Sequence, residues 1–151
     1  MFGSSLLALA ILGLAAGAPG DPVEVFRGEY VWKVDGHQNE VEAVFTPTGE
    51  AAWDVEFRFA YARRRETYQG IARGSLREGP VHGEVKDNGG VLRYGFELEV
   101  EGDRLEGQHF DIWSGRKKLN GTLRLERVRG STPASDRPAG DSQPVRLETD
   151  F

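Results

Sequence analysis

The residues best suited to chemistry are three histidines and a few spaced carboxylates. His109-x-Asp111 sets an imidazole and a carboxylate two positions apart, on one side of an extended strand. A metal site needs three or four such ligands, and His37 and His82 stand on other segments with no supporting spacing. Asp54-x-Glu56 and Glu97-x-Glu99 pair carboxylates as glycoside hydrolysis requires. Each pair also alternates with apolar neighbours, and the solvated face of a strand accounts for it. A Ser-His-Asp order, a phosphate-cradling glycine loop and a zinc-binding helix are all missing. The 151 residues contain no cysteine, which excludes thiolate ligands, thiol nucleophiles and disulfides. The expectation is a non-enzymatic chain with neither metal nor cofactor. Asn120-Gly121-Thr122 fits a glycosylation acceptor, a pattern common by chance.

The remaining candidates are aromatic, and strands must position them. In Trp53-Asp54-Val55-Glu56-Phe57-Arg58-Phe59-Ala60-Tyr61 every odd position is large and apolar, the period of a strand with one buried face. Similar segments run before and after it. Phe26 to Val34 turns Phe26, Tyr30, Trp32 and Val34 to one side, and Glu40 to Phe45 does so with Val41, Ala43 and Phe45. Thr67 to Leu76, Val81 to Lys86 and Val91 to Val100 follow, the last with Leu92, Tyr94, Phe96 and Leu98 inward. Leu105 to Trp113 breaks step, which predicts a bulge near Gln108 or His109. An eighth strand turns Leu119, Gly121, Leu123 and Leu125 inward. Turn signals separate the segments, and Asp87-Asn88-Gly89-Gly90 is the strongest of them. No helical period is sustained. The expected fold is all-β, an antiparallel up-and-down meander of about eight strands closing into a small barrel.

Inward glycines at Gly70, Gly74, Gly83, Gly107 and Gly121 imply close strand approach or space for bulky neighbours. Two interiors fit the pattern. Either the rings fill the barrel, or Tyr30, Trp32, Trp53, Phe57 and Tyr94 line a cup for an apolar or planar ligand. In a meander alternate turns share an end, so His37, Arg63 to Arg65, Asn88 and Arg116 to Lys118 meet at one mouth. Arg63, Arg65 and Lys117 are candidate contacts there for an anionic group. Glu50, Glu78, Glu101 and Asp103 gather at the other mouth.

The ends of the chain have a different character. Leu6 to Leu14 is an apolar run followed by small residues, so residues 1–20 are expected to be a signal peptide, 24–128 the barrel domain and 129–151 a disordered tail. Residues 145–151 alternate again and are a candidate short terminal strand. The mature chain is expected to be secreted or periplasmic, with no membrane span. A net charge of -5 argues against a nucleic-acid partner.

Gly28-x-Tyr30-x-Trp32 resembles the Gly-x-Trp start of the calycin superfamily, the lipocalins and avidins, with tyrosine where tryptophan is expected. The short loops and the absence of cysteine resemble avidin more than a lipocalin. The resemblance implies a barrel with a small-molecule cup at one end, and it transfers no biotin-contacting residue.

The leading functional expectation is an exported binding module that holds a small molecule or surface polymer at one mouth. A packed-core domain that meets a protein or another envelope component is the alternative. An eight-stranded outer-membrane barrel is a third reading, supported by the terminal Phe151 and by alternation that suits a lipid-facing wall equally well.

Overall fold

In a computed structural model, which describes residues 22–130, the chain alternates as its sequence does and closes on itself. The strands are β1 (Glu24–Trp32), β2 (Gln38–Gly49), β3 (Ala52–Tyr61), β4 (Arg64–Gly74), β5 (Val81–Lys86), β6 (Arg93–Glu101), β7 (Arg104–Trp113) and β8 (Arg116–Arg127). Each pairs antiparallel with its neighbours in sequence. β1 also pairs with β8, from Phe26 opposite Arg127 to Trp32 opposite Gly121, so no strand edge is left free. The expected signal peptide, terminal strand and Phe151 lie outside the described residues, as does the expected tail beyond Gly130.

The barrel wall sorts side chains by parity. Phe26, Phe45, Leu98, Leu105, Leu125 and Val81 are wholly buried inside. The outer face carries ion pairs, among them Arg27 with Glu42 and Arg124 with Glu106. This is the reverse of a barrel that turns apolar residues to lipid.

The inward glycines serve mainly to let strands touch. A Cβ at Gly70 would stand 1.8 Å from the Glu84 carbonyl oxygen, and one at Gly107 would stand 2.0 Å from that of Glu97. The wall coils too tightly at these points for any side chain. Ring space is also involved at Gly83, where the Phe96 ring lies 2.6 Å from the place a Cβ would take, and at Gly121, where the His109 ring lies 2.7 Å from it.

Three expectations about strand ends and register change. Val34 is 87% exposed, because β1 stops at Trp32 and the chain turns there. Val91 and Leu92 belong to a loop, and β6 starts at Arg93. Asp87 builds that loop: its Oδ1 accepts from the Val91 and Leu92 amides, and its own amide donates to the Leu92 carbonyl.

The third change concerns the bulge. The β7–β8 register does slip between His109 and Phe110, but the extra residue is Asn120 in β8. β7 stays in step with β6, so Gly107, His109 and Asp111 pair with inward Leu98, Phe96 and Tyr94. Phe110 and Ile112 take the outer wall, and Leu119, opposite Phe110, joins them there instead of pointing inward.

The two ends differ. At the lower end the Arg127 guanidinium, 14% exposed, bonds the Glu24 carboxylate and donates to the Leu76 carbonyl at 2.7 Å. It also stands 4.8 Å from the centre of the Phe26 ring. This end is closed. At the upper end lie the β1–β2, β3–β4, β5–β6 and β7–β8 turns, and the packing there is looser.

A candidate binding cup at the upper end of the barrel

Aromatic rings from four strands converge below the upper turns. Tyr30 and Trp32 come from β1, Phe57 and Phe59 from β3, Tyr68 from β4, and Tyr94 and Phe96 from β6. β5 supplies Val85 as its last inward residue and ends one residue later, which leaves a gap between β4 and β6 at this height. Tyr68 and Tyr94 bridge it. Their rings stack with centroids 4.9 Å apart and planes 7° from parallel. The Tyr68 hydroxyl bonds that of Tyr94. Burial, reinforced by this bond, holds the Tyr68 phenol far above its ordinary pKa of 10.0. Burial raises Tyr94 as well, and the bond from Tyr68 partly offsets the rise.

Phe59 sits edge-on to Tyr68 at 4.8 Å and to Tyr30 at 5.2 Å, carrying the ring contacts round to β1. There Trp32 lies 4.9 Å from Tyr61. The β1–β2 turn folds His37 over them, 5.5 Å from Trp32 and 5.7 Å from Tyr61. The His37 amide is held by Asp35 Oδ1 at 2.8 Å. Its Nε2 is buried and has no hydrogen-bond partner among the described residues. Such an atom costs about 1–3 kcal/mol while unsatisfied, and a ligand's polar atom would relieve that cost.

Between these groups remains a cavity of about 60 Å³, open towards the upper end. It has room for a few water-sized groups. On the β7 and β8 side its wall is formed by His109, Asn120 and Leu123. The Val31 carbonyl accepts from His109 Nε2 at 3.3 Å, and since a carbonyl only accepts, Nε2 carries the proton. Gly121 makes this contact possible: a Cβ there would lie 1.8 Å from the Val31 oxygen and 2.7 Å from His109 Nε2. Burial lowers the His109 pKa below 6.5, with the Val31 bond and the charge of Asp111 opposing the shift. Asp111 Oδ1 accepts from Asn120 Nδ2 at 2.9 Å. The bulge that adds Asn120 to β8 thus turns its amide towards the cup. The amide nitrogen that a glycan would need is engaged with Asp111.

The residues proposed from sequence divide clearly. Tyr30, Trp32, Phe57 and Tyr94 line the cavity. Trp53 does not: it packs 7% exposed near the lower end, edge-on to Phe45, with Nε1 donating to the Gly74 carbonyl at 3.0 Å. Arg63 is exposed in the β3–β4 turn. Arg65 lies on the outer wall, lining a shallow groove with Arg27 and Arg58. Lys117 is also outside, paired with Glu97 at 3.0 Å and 5.7 Å from the centre of the Phe110 ring.

Phe59, Tyr68, His109 and Asn120 were missed as site residues. Alternation alone puts Phe59 on an inward face with Trp53 and Phe57, and Tyr68 with Gly70 and Ala72, so depth along the strand is the lacking signal. His109 was expected at a bulge or on the surface; it is buried because the extra residue lies in the neighbouring strand. Among the described residues no three metal-ligating side chains converge.

In comparison with known proteins, the chain matches no family model, no curated protein and no solved structure.

Proposed function

We propose that the chain is an exported, non-enzymatic binding barrel whose upper cup takes an uncharged apolar or planar group. The single observation that carries this reading is the asymmetry of the two ends. The lower end is sealed by Arg127 and Trp53, while aromatic rings surround an open cavity at the upper end. The volume of about 60 Å³ admits one end of a ligand, with the remainder against Trp32, Tyr61 and His37 at the rim. The ligand is uncharged because the cup offers no free ionic partner: His109 is held neutral by burial and Asp111 is tied to Asn120. His37 Nε2, buried beside the rim rings, is a polar atom there without a partner among the described residues. Export is supported by the apolar run Leu6 to Leu14.

The test uses tryptophan emission. Replacing Trp53 and Trp113 with Phe leaves Trp32, at the cup, as the sole tryptophan. Titration with small phenols, indoles and short aliphatic alcohols should shift or quench its emission saturably. A flat response across the whole panel would remove the cup. A second reading, a packed-core domain that acts through its surface, is favoured by the same small volume, since most of the interior is filled.

A further inference from the structure

Each of the four upper turns presents an exposed apolar side chain next to exposed cations. In the β1–β2 turn these are Val34, 87% exposed, and Lys33. At the β3–β4 turn they are Tyr61, with Arg63 and Arg64. The β5–β6 loop offers Leu92 and Val91, 78% exposed, beside Lys86. The β7–β8 turn offers Trp113, 73% exposed, beside Arg116 and Lys118. Elsewhere among the described residues, only Val23 and Ile71 are exposed large apolar residues.

The cations and the acids at this end are used differently. Lys33, Arg63, Arg64, Lys86, Arg116 and Lys118 form no ion pair among the described residues, whereas Arg93 and Lys117 on the wall below are paired with Glu84 and Glu97. The acids face the loops: Asp35 holds the His37 amide, Asp87 the Val91 and Leu92 amides, and Glu66 the Asn88 side chain. The lower turns carry Glu50, Glu78, Glu101 and Asp103. The barrel is therefore polarised along its axis, although its net charge is -5.

We propose that the upper end docks on the interface of an anionic lipid membrane, inserting Val34, Val91, Leu92 and Trp113 between headgroups while the six unpaired cations meet the phosphates. Two features together select a lipid surface. A soluble polyanion would be met by the cations alone and gives no reason for an apolar side chain on every turn. A protein partner calls for a continuous, complementary patch, whereas these are four separate tips. An anionic bilayer rewards both properties, as interfacial tryptophan and surface cations do elsewhere. The proposal rests on exposed residues alone and stands whether or not the cup holds a ligand.

The test is co-sedimentation of the full chain with vesicles of phosphatidylcholine, with and without one third phosphatidylglycerol. Binding is expected to the anionic vesicles and to weaken with salt. The pair Arg63→Glu with Arg64→Glu, and separately the pair Leu92→Ser with Trp113→Ser, should each lower it about tenfold or more. Ile71→Ser on the wall should leave it unchanged. In a chain whose only tryptophan is Trp113, emission should move to the blue on binding. Equal binding by the wild type and both rim variants would overturn the proposal, since the attachment would then come from another segment such as Leu6 to Leu14. Dependence on the arginines without any on Leu92 and Trp113, with equal binding to heparin, would overturn it in favour of a soluble polyanion. Absence of binding to anionic vesicles would overturn it outright.

Discussion

The His109 imidazole reaches past Gly121 to the Val31 carbonyl, Nε2 to oxygen 3.3 Å, and so bonds β7 to β1 across the intervening β8. Gly121→Ala would put a Cβ 1.8 Å from that oxygen. The obstacle is backbone in a closed ring and cannot rotate away. The substitution should destabilise the barrel by about 2–4 kcal/mol, read as a lower urea midpoint. A loss under about 0.5 kcal/mol would mean that the strands separate there at little cost.

The same histidine makes stability depend on pH. Burial lowers its folded pKa below 6.5, so the unfolded chain takes up a proton first as the pH falls. Its contribution is fully present above about pH 6.5 and declines as the pH drops below that value towards the folded pKa. Asp103 and Glu106, whose pKa values are lowered by Arg129 and Arg124, lose their contributions only at more acidic pH. Urea unfolding between about pH 5 and 8 should show the slope, and His109→Gln should flatten it. An unchanged slope in the variant would assign it to other groups.

Tyr68 and Tyr94 provide a signal at the other extreme. Both phenols are raised above 10.0, so the barrel keeps protons that the unfolded chain releases. Their contribution is present below about pH 10 and is lost as the pH rises through the folded values. Phenolate absorbance of the folded protein should lag behind that of the denatured protein. Tyr94→Phe leaves the Tyr68 hydroxyl without its partner and should cost about 1 kcal/mol.

At the closed end, Arg127→Ala removes the partner of a Glu24 carboxylate that is only 14% exposed, together with the bond to Leu76 and the cover over Phe26. The expected loss is about 3 kcal/mol. Arg124→Ala, whose exposed pair with Glu106 lies on the wall, should cost less than about 1 kcal/mol. Near-equal losses would contradict the sealing of this end by Arg127.

Much of the barrel was legible because alternation is a local signal. Val41, Ala43 and Phe45, or Trp53, Val55 and Phe57, announce a buried face without reference to any partner strand. Position along the axis is not local. Trp53 and Phe57 share a face and a strand, yet one fills the closed end and the other lines the cup, because depth depends on the register with neighbours. The bulge shows the same limit. The broken pattern in β7 marked its height correctly, but pairing alone reveals that the extra residue is Asn120 in β8, a shift that reverses Leu119 and buries His109. Arg65 and Lys117 followed the ends of their strands in sequence and the outer wall in space.

The pairing of Phe26 to Trp32 with Gly121 to Arg127 has a kinetic consequence. β1 gains its second neighbour only when β8 has formed, with nearly the whole barrel between them. Meander contacts between successive hairpins form early, whereas ring closure waits for the longest loop in the molecule. Until then β1 and β8 both expose unpaired edges, so the chain is at greatest risk of pairing with another copy of itself just before it finishes folding.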